Sequence, residues 1–188
     1  MKDPGPLRAS KALPPSRFIP PPVRAESKRA GDVRLLTWNV HKGMGGLDRA
    51  YAPWRITEGI RYHNPDIVVL QEVASGVPRF RRDRQAEAWA AVLGYPYRVF
   101  ASDVNLETGR WGNAILSRYP IRHWAHVNLS FPLKKRRGAI VADLDVRPGR
   151  SERLLHVVNV HLGLSGVERR WQTRRLLASP GLTRLRAR

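Results

Sequence analysis

Four polar side chains stand beside strand-like apolar runs, where α/β proteins tend to gather their ligand sites. They are Asn39 at the end of "VRLLTWN", Glu72 after "DIVVLQ", Asn113 at the start of "NAILSR" and His161 after "VVNV". A carboxylate at the end of a buried strand is costly unless it is paired or metal-bound. Glu72 is therefore the best single candidate for a metal ligand.

Each of these residues also has a simpler explanation when it is taken alone. Glu72 fits a salt bridge to one of the many arginines, and Asn39 fits a turn residue before the glycines that follow it. Asn113 follows Gly112 as an ordinary turn pair, and His161 fits a hydrogen-bonded core histidine. Only the four residues together indicate a site. They can form one only if the strands that carry them bring their side chains to the same place.

Predicted strands and helices alternate at first along the chain, and a run of strands follows them. Apolar periodicity predicts helices over residues 54–63, 84–94 and 166–178. It predicts strands over 33–40 and 66–73, and then at "YRVFAS", "NAILSR", "IRHWAHVNL", "GAIVADLDV" and "RLLHVVNV". The turn "RPGR" at Arg147 to Arg150 joins the last two strands as a hairpin. This order indicates a layered α/β protein with a mixed sheet.

Composition limits the chemistry and the partners. The 188 residues include no cysteine, which excludes thiolate metal sites and a cysteine nucleophile. A metal would have to use carboxylate, amide or imidazole groups, which suit Mg²⁺ or Mn²⁺. The net charge of +19 favours a polyanion such as nucleic acid or an anionic membrane surface, although codon composition also enriches arginine. We predict a soluble, cytoplasmic monomer.

The chain divides into three segments by composition. Seven of the 15 prolines fall in residues 1–32, which we predict to be a flexible basic leader. Residues 33–178 carry all the predicted strands and helices. Residues 179–188 are predicted to be an irregular basic tail.

Four motifs in this order carry a family resemblance. "TWNVHKG", "DIVVLQEV", "GNAILSRYPI" and "VVNVHLGLS" resemble the endonuclease/exonuclease/phosphatase superfamily, which includes DNase I-like nucleases, sphingomyelinases and inositol polyphosphate phosphatases. The resemblance covers residues 33 to about 178. It implies a DNase I-like fold, a sandwich of two mixed β-sheets flanked by helices. It also implies hydrolysis of phosphoesters that depends on a divalent metal.

The same resemblance implies roles for the four polar residues. Glu72 corresponds to the metal-binding glutamate, and Asn39 to the asparagine of the metal-and-phosphate network. Asn113 lies in the motif that lines the substrate cleft. His161 corresponds to the histidine that contacts the scissile phosphate and donates a proton.

Basic residues extend the implied site. In "KKRRGAI" an arginine before the glycine faces the substrate phosphate in the family, so Arg137 is the first candidate and Arg136 the second. His41 has a counterpart in some relatives and is given a supporting role.

Two further family motifs do not occur in the sequence. After the last predicted helix the family has a strand ending in "GDxN" and then a "DH" pair, which position the attacking water and supply the general base. Residues after Ala178 read "SPGLTRLRAR". We therefore expect a C-terminally truncated domain whose activity falls several orders of magnitude below that of a full-length relative.

Three functions are compatible with these features. The first is a metal-dependent phosphoesterase that hydrolyses phosphodiester bonds in nucleic acid. The second is a sphingomyelinase-like lipid phosphodiesterase held at an anionic membrane. The third is a non-catalytic remnant that binds polyanions through its arginines alone.

Overall fold

The computed structural model describes residues 32–146 and 153–186, so the predicted leader, apart from Asp32, and the predicted turn at Arg147 to Arg150 lie outside the described residues. The described strands are β1 (Leu35–Asn39), β2 (Ile67–Ser75), β3 (Tyr97–Leu106), β4 (Gly109–Ser117), β5 (Ile121–Asn128), β6 (Gly138–Val146) and β7 (Arg153–Val160). The described α-helices are α1 (Trp54–His63), α2 (Gln85–Leu93), α3 (Gly166–Leu177) and α4 (Pro180–Arg186). Short 3-10 turns occur at His41–Gly43 and Pro78–Phe80.

The strands form two sheets, as the sequence predicted. The first sheet has the order β1-β2-β4-β3, and β1 and β2 pair in parallel because α1 forms the crossover between them. Its other pairs are antiparallel. The second sheet, β5-β6-β7, is antiparallel throughout rather than mixed, because no helix lies between its described strands to return the chain in the same direction.

The sheets pack face to face and helices cover both outer faces. Ile67 and Ile115 of the first sheet meet Ile140 and Leu144 of the second in one buried cluster. Helices α1 and α2 pack on the outer face of the first sheet, and α3 and α4 pack on that of the second. The two-sheet sandwich flanked by helices is therefore confirmed.

Helix ends follow local signals in the sequence. Helix α1 ends at Asn64, whose φ of 43° is left-handed, and α2 ends at Gly94 with φ 71°. The hydroxyl of Ser165 accepts a hydrogen bond from the Glu168 backbone N–H at 3.2 Å and caps α3. The irregular structure predicted for residues 179–188 is wrong, because α4 begins at Pro180. Proline is favoured in the first turn of a helix, where its missing N–H costs nothing.

Two strands run further than the sequence predicted. Pairing of β2 with β4 continues past Val73 to Ser75, which pairs with Arg110. Glu72 and Asn113 therefore lie within strands rather than at a strand end and a strand start. Among the described residues, no helix is both long and apolar enough to cross a bilayer.

Candidate active site

A bulge in β2 sets the direction of the Glu72 side chain. The β2–β4 register shifts between Leu70 and Val73, and Glu72 has a left-handed φ of 56°. A bulge of this kind turns a side chain out of the regular alternation of a strand. The Glu72 carboxylate consequently reaches a cleft at one rim of the sandwich, although β2 is otherwise buried.

Three groups converge on the Glu72 carboxylate. Asn39 Nδ2 donates to Glu72 Oε1 at 3.3 Å, Lys42 Nζ forms an ion pair with Oε2, and His161 Nε2 lies 3.8 Å from Oε1. Burial raises the pKa of Glu72, but the hydrogen bond and charge of Lys42 and the Asn39 amide outweigh it, so the net pKa is lowered. Glu72 is therefore an anion at neutral pH. The structure brings Asn39, Glu72 and His161 together, as the sequence predicted.

Lys42 reaches Glu72 because the chain after β1 makes a tight left-handed turn. His41 and Lys42 have φ of 44° and 59°, and Asn39 Oδ1 accepts from the His41 backbone N–H at 3.0 Å. Gln85, which is fully buried, donates from Nε2 to the Lys42 carbonyl at 2.8 Å and fixes the turn. Sequence analysis missed Lys42, although its place in the glycine-rich "HKGMGG" beside Asn39 was a signal. His41 is exposed and lies outside the cleft.

Asn113 lies beneath the cleft and joins the two sheets. It is fully buried, and its Nδ2 donates to the Gly138 carbonyl at 2.9 Å and to Asp103 Oδ2 at 3.2 Å. Its Oδ1 has no hydrogen-bond partner among the described residues. Asn113 therefore supports the cleft floor instead of lining it.

Asp103 is a second acidic group at the cleft, and the sequence analysis did not find it. It lies at a register shift between β3 and β4 and lines the cleft. Its Oδ1 is 2.8 Å from His126 Nε2 on β5, so the pair links the two sheets beside Asn113. No signal in the sequence marked Asp103, because only the three-dimensional pairing brings it to the site.

The loop between β5 and β6 forms the basic wall of the cleft. Lys135, Arg136 and Arg137 all line this cleft of about 310 Å³. Arg136 is exposed, whereas Arg137 is half-buried and its Nε has no hydrogen-bond partner among the described residues. A buried donor without a partner is costly unless a ligand satisfies it. Arg137 is thus the better placed of the two predicted arginines for an anionic ligand.

His161 follows β7 directly, and its side chain is 18% exposed. Burial and the positive charge of Arg137 lower its pKa, and Glu72 and Asp103 offset part of this effect. The imidazole is therefore neutral at pH 7 in the free protein. The fully buried Gln172 of α3 holds the following loop, since its Oε1 accepts from the Gly163 N–H at 2.8 Å.

The donor set at Glu72 suits a hard ion that keeps much of its water. Within residues 32–146 and 153–186, no group of three or more His, Asp, Glu or Cys side chains is placed to hold a metal. Mg²⁺ nevertheless binds typically through one or two carboxylates with water and substrate phosphate completing its shell. The Glu72 carboxylate, oriented by the Asn39 amide, fits that pattern once Lys42 moves from it.

Comparisons with known proteins extend these observations. An uncharacterised protein of Escherichia coli K12, YbhP, is 29% identical, and the match covers 74% of this chain and 56% of that protein. The chain thus spans little more than half the length of this curated relative.

Two solved structures show the same fold. An endonuclease/exonuclease/phosphatase from Beutenbergia cavernae has a TM-score of 0.61 at 27% identity, covering 77% of this chain and 43% of its own. ANGEL2, a 2′,3′-cyclic phosphatase in complex with adenosine-2′,3′-vanadate, has a TM-score of 0.57 at 16% identity, covering 78% of this chain and 46% of its own. The model of the Endonuclease/Exonuclease/phosphatase family matches residues 36–186, and the chain belongs to that family.

Proposed function

We propose that this chain provides the phosphate-binding half of a divalent-metal-dependent phosphodiesterase that acts on nucleic acid. The observation that carries the proposal is the convergence of Glu72, His161 and the unpartnered Arg137 Nε on one cleft. A carboxylate for a hard ion stands beside neutral and cationic donors for a phosphate. Phosphoester hydrolysis needs both, because charge develops on the nonbridging and leaving oxygens.

Each residue has a defined task in this proposal. The Arg137 guanidinium donates to a nonbridging phosphate oxygen, which satisfies its buried Nε. Neutral His161 donates a hydrogen bond to the phosphate, and the bound anion raises the pKa of the imidazole so that it can protonate the leaving oxygen. Asn39 orients the Glu72 carboxylate through its 3.3 Å hydrogen bond.

Glu72 would hold the metal ion, Mg²⁺ or Mn²⁺, with water and substrate phosphate completing its shell. The bound ion would supply Lewis-acid stabilisation of the phosphate charge. Lys42, when it leaves Glu72, stays at the cleft wall and can pair with the substrate phosphate instead. The Lys42–Glu72 ion pair would then be replaced by two contacts with the substrate phosphate, one from Lys42 and one from the metal ion held at Glu72.

Charge and similarity support nucleic acid as the substrate. The net charge of +19 favours a polyanion, and the wall at Lys135, Arg136 and Arg137 is basic. ANGEL2, which shares the fold, was solved with a nucleoside vanadate. The activity and substrate of the whole protein rest on this proposal.

Supercoiled plasmid DNA with Mg²⁺ or Mn²⁺ tests the proposed function. Because the "GDxN" and "DH" motifs do not occur in the chain, only a low rate of nicking is expected, and it should fall at least tenfold in His161→Ala and in Glu72→Gln. His123→Ala is the matched control, because His123 is exposed on β5 and outside the cleft. Nicking that is equal in all four proteins would come from a contaminant and contradict the proposal.

Phosphate binding gives a second readout that does not require turnover. Titration with inorganic phosphate, followed by NMR of the arginine Nε–H groups, should shift the Arg137 signal. Arg137→Gln should weaken phosphate binding, whereas Arg98→Gln, on the exposed part of β3, should not. Equal affinity in both variants would remove Arg137 from the site.

A second candidate function, a lipid phosphodiesterase, is favoured by three exposed leucines. Leu47 and Leu133 are completely exposed and Leu106 is 46% exposed. Leu133 lies in the loop between β5 and β6 that forms the basic wall of the cleft. Leucines beside basic residues at loop tips suit an anionic bilayer. Sedimentation with phosphatidylserine vesicles checks this candidate, and binding unaffected by Leu47→Ser and Leu133→Ser would remove its support.

A further inference from the structure

A second cavity, of about 590 Å³, adjoins the cleft that holds Glu72 and His161. Lys42 and Trp111 line both spaces, so a ligand can extend from one to the other past these two side chains. Lys42 Nζ lies 5.5 Å from the centroid of the Trp111 ring. The second cavity is therefore next to the position proposed for the scissile phosphate.

The floor of this cavity is apolar and partly aromatic. It is formed by Met44, Val77, Phe80 and Trp111, which belong to one hydrophobic cluster. Phe80 and Val77 are buried, and Trp111 is partly exposed. Trp111 thus combines a fixed position with an accessible ring, which suits stacking of a flat group.

The rim of the cavity carries the positive charges of Arg49 and Arg79. His41, Arg49 and Arg79 are exposed and line it. Gly45 and Gly46 complete the rim, and the backbone of Gly46 is open, since a Cβ there would meet nothing within 4 Å. A purely aliphatic ligand would use the floor and leave these polar groups without partners.

An apolar, partly aromatic floor beside a rim with two arginines favours a nucleotide over a purely aliphatic ligand. A nucleobase stacks on aromatic rings and accepts hydrogen bonds at its edges, so it can use both the floor and the rim. In a nucleic acid, the base is joined through its sugar to a phosphate at one side and to the next phosphate at the other. Arg49 and Arg79 are placed at the rim for that second phosphate. The volume of about 590 Å³ lies within the range of small-molecule sites.

We propose that this cavity is a nucleobase subsite in which a base next to the scissile phosphate stacks on Trp111, with Arg79 and Arg49 binding the following phosphate. The inference rests on the proposed function, because it takes the Glu72 cleft as the phosphate site. It adds a binding subsite for the base and a second contact with the following phosphate. It assigns Trp111 and Arg79 to binding, with no role in bond cleavage.

Calorimetric titration with four compounds tests the subsite. They are inorganic phosphate, ribose 5-phosphate, adenosine 5′-monophosphate and decyl phosphate. The adenosine compound should bind at least tenfold more tightly than ribose 5-phosphate. Trp111→Leu should abolish that difference, so that the adenosine compound and ribose 5-phosphate bind alike. Trp124→Leu, an exposed tryptophan on β5 that does not line either space, is the matched control.

Arg79→Gln provides a variant that leaves the floor intact, because Arg79 is exposed. It should weaken binding of the dinucleotide pApA several-fold and leave adenosine monophosphate unchanged. Equal affinity of the wild type for ribose 5-phosphate and adenosine monophosphate would overturn the subsite while the phosphate site stands. Tighter binding of decyl phosphate than of the adenosine compound would overturn the subsite by showing that the cavity binds an alkyl chain in preference to a base. Failure of all four compounds to bind would overturn the phosphate site and the subsite together.

Discussion

Lys42 Nζ and the Glu72 carboxylate form an ion pair in the cleft, and the left-handed turn after β1 brings the two together. The ammonium group covers Oε2 of the carboxylate that would hold a metal ion. Both side chains are about one-fifth exposed, at 19% and 20%. The pair keeps Glu72 ionised, and under the proposed function a divalent cation would compete with Lys42 for this carboxylate.

The first prediction follows from this competition. Glu72→Gln should remove most of the affinity for Mn²⁺, because the amide carries no charge. Lys42→Met should increase the affinity about fivefold, since a partly exposed ion pair contributes about 1 kcal/mol that the metal no longer has to offset. Calorimetric titration at pH 7.5 measures both effects.

The matched control for the metal experiment is Glu58→Gln. Glu58 pairs with Arg61 on the surface of α1, away from the cleft. Its variant should bind Mn²⁺ as the wild type does. Equal affinities for wild type and Glu72→Gln would show that the metal binds elsewhere.

The second prediction concerns the protonation of His161 in metal-free protein. Its pKa should lie below the ordinary value of 6.5, because burial and Arg137 disfavour the imidazolium. Arg137→Gln should raise the pKa by removing a like charge, and Glu72→Gln should lower it by removing an opposite one. NMR titration of the His161 ring between pH 4 and 9 measures the midpoint.

The sign for stability follows from the same shift. The folded state binds this proton less readily than the unfolded state, so the contribution of neutral His161 to the free energy of unfolding is complete above 6.5 and is lost as pH falls from there through the lowered pKa of the folded state. In His161→Ala that loss should be absent. A His161 midpoint above 6.5 in the wild type would contradict the prediction.

The sequence predicted most of the fold because its signals are local. Helix α1 was predicted with its observed bounds, since apolar spacing and the "NP" stop are both read along the chain. The apolar run of β2 was equally clear, but the bulge at Glu72 was not. A bulge depends on the strand that pairs opposite, and no pattern within "LQEV" reveals it.

The candidate site was predicted only where residues are contiguous with strong motifs. Asn39, Glu72 and His161 stand next to apolar runs and were found. Asp103 and Lys42 reach the site through a register shift and a left-handed turn, which are features of tertiary structure. Asn113 was assigned to the cleft, yet its environment is the buried junction of two sheets.

The tripeptide Asn-Val-His occurs at residues 39–41 and 159–161, and its asparagine has a different role in each place. Asn159 occupies in "Asn-Val-His" the position that Asn39 occupies in the first strand, but it is buried between the sheets. Its Nδ2 donates to the carbonyls of Leu70 at 2.9 Å and Ala114 at 2.8 Å, and its Oδ1 accepts from Gln71 Nε2 at 2.8 Å. Sequence analysis did not single it out.

The third prediction is that Asn159→Leu destabilises the fold. Gln71 and two carbonyl groups would lose their partner in a buried site, which costs about 3 kcal/mol. For a domain of this size the melting temperature should fall by about 10 °C. Asn105→Leu, at an exposed position near the end of β3, is the control for the change of residue type. A fall of less than 2 °C in Asn159→Leu would show that the network contributes little.

The fourth prediction concerns the binding of nucleic acid. The net charge of +19 acts through many dispersed side chains, so binding should be electrostatic and weakly sequence-specific. The logarithm of the binding constant should then fall linearly with the logarithm of salt concentration, with a slope of about −0.9 for each phosphate neutralised on duplex DNA. Fluorescence anisotropy with two unrelated duplexes at four salt concentrations measures slope and preference. A slope near zero, or a strong preference for one duplex, would contradict it.

The fifth prediction tests the junction beneath the cleft through a single methyl group. A Cβ at Gly138 would stand 2.0 Å from Asp103 Oδ1 and 2.4 Å from His126 Nε2. Both atoms belong to a pair that is itself held by Asn113, so the clash cannot be relieved by one free side chain.

Gly138→Ala should therefore break the Asp103–His126 pair and lower the stability by about 1–3 kcal/mol, the usual cost of overpacking. Gly46→Ala is the matched control, because a Cβ there meets nothing within 4 Å. Thermal unfolding of both variants gives the difference in stability, and NMR of His126 reports the pair directly. The prediction is wrong if Gly138→Ala unfolds at the same temperature as Gly46→Ala and keeps the wild-type His126 signal. The two sheets would then separate more easily at this rim than the buried Asn113 contacts indicate.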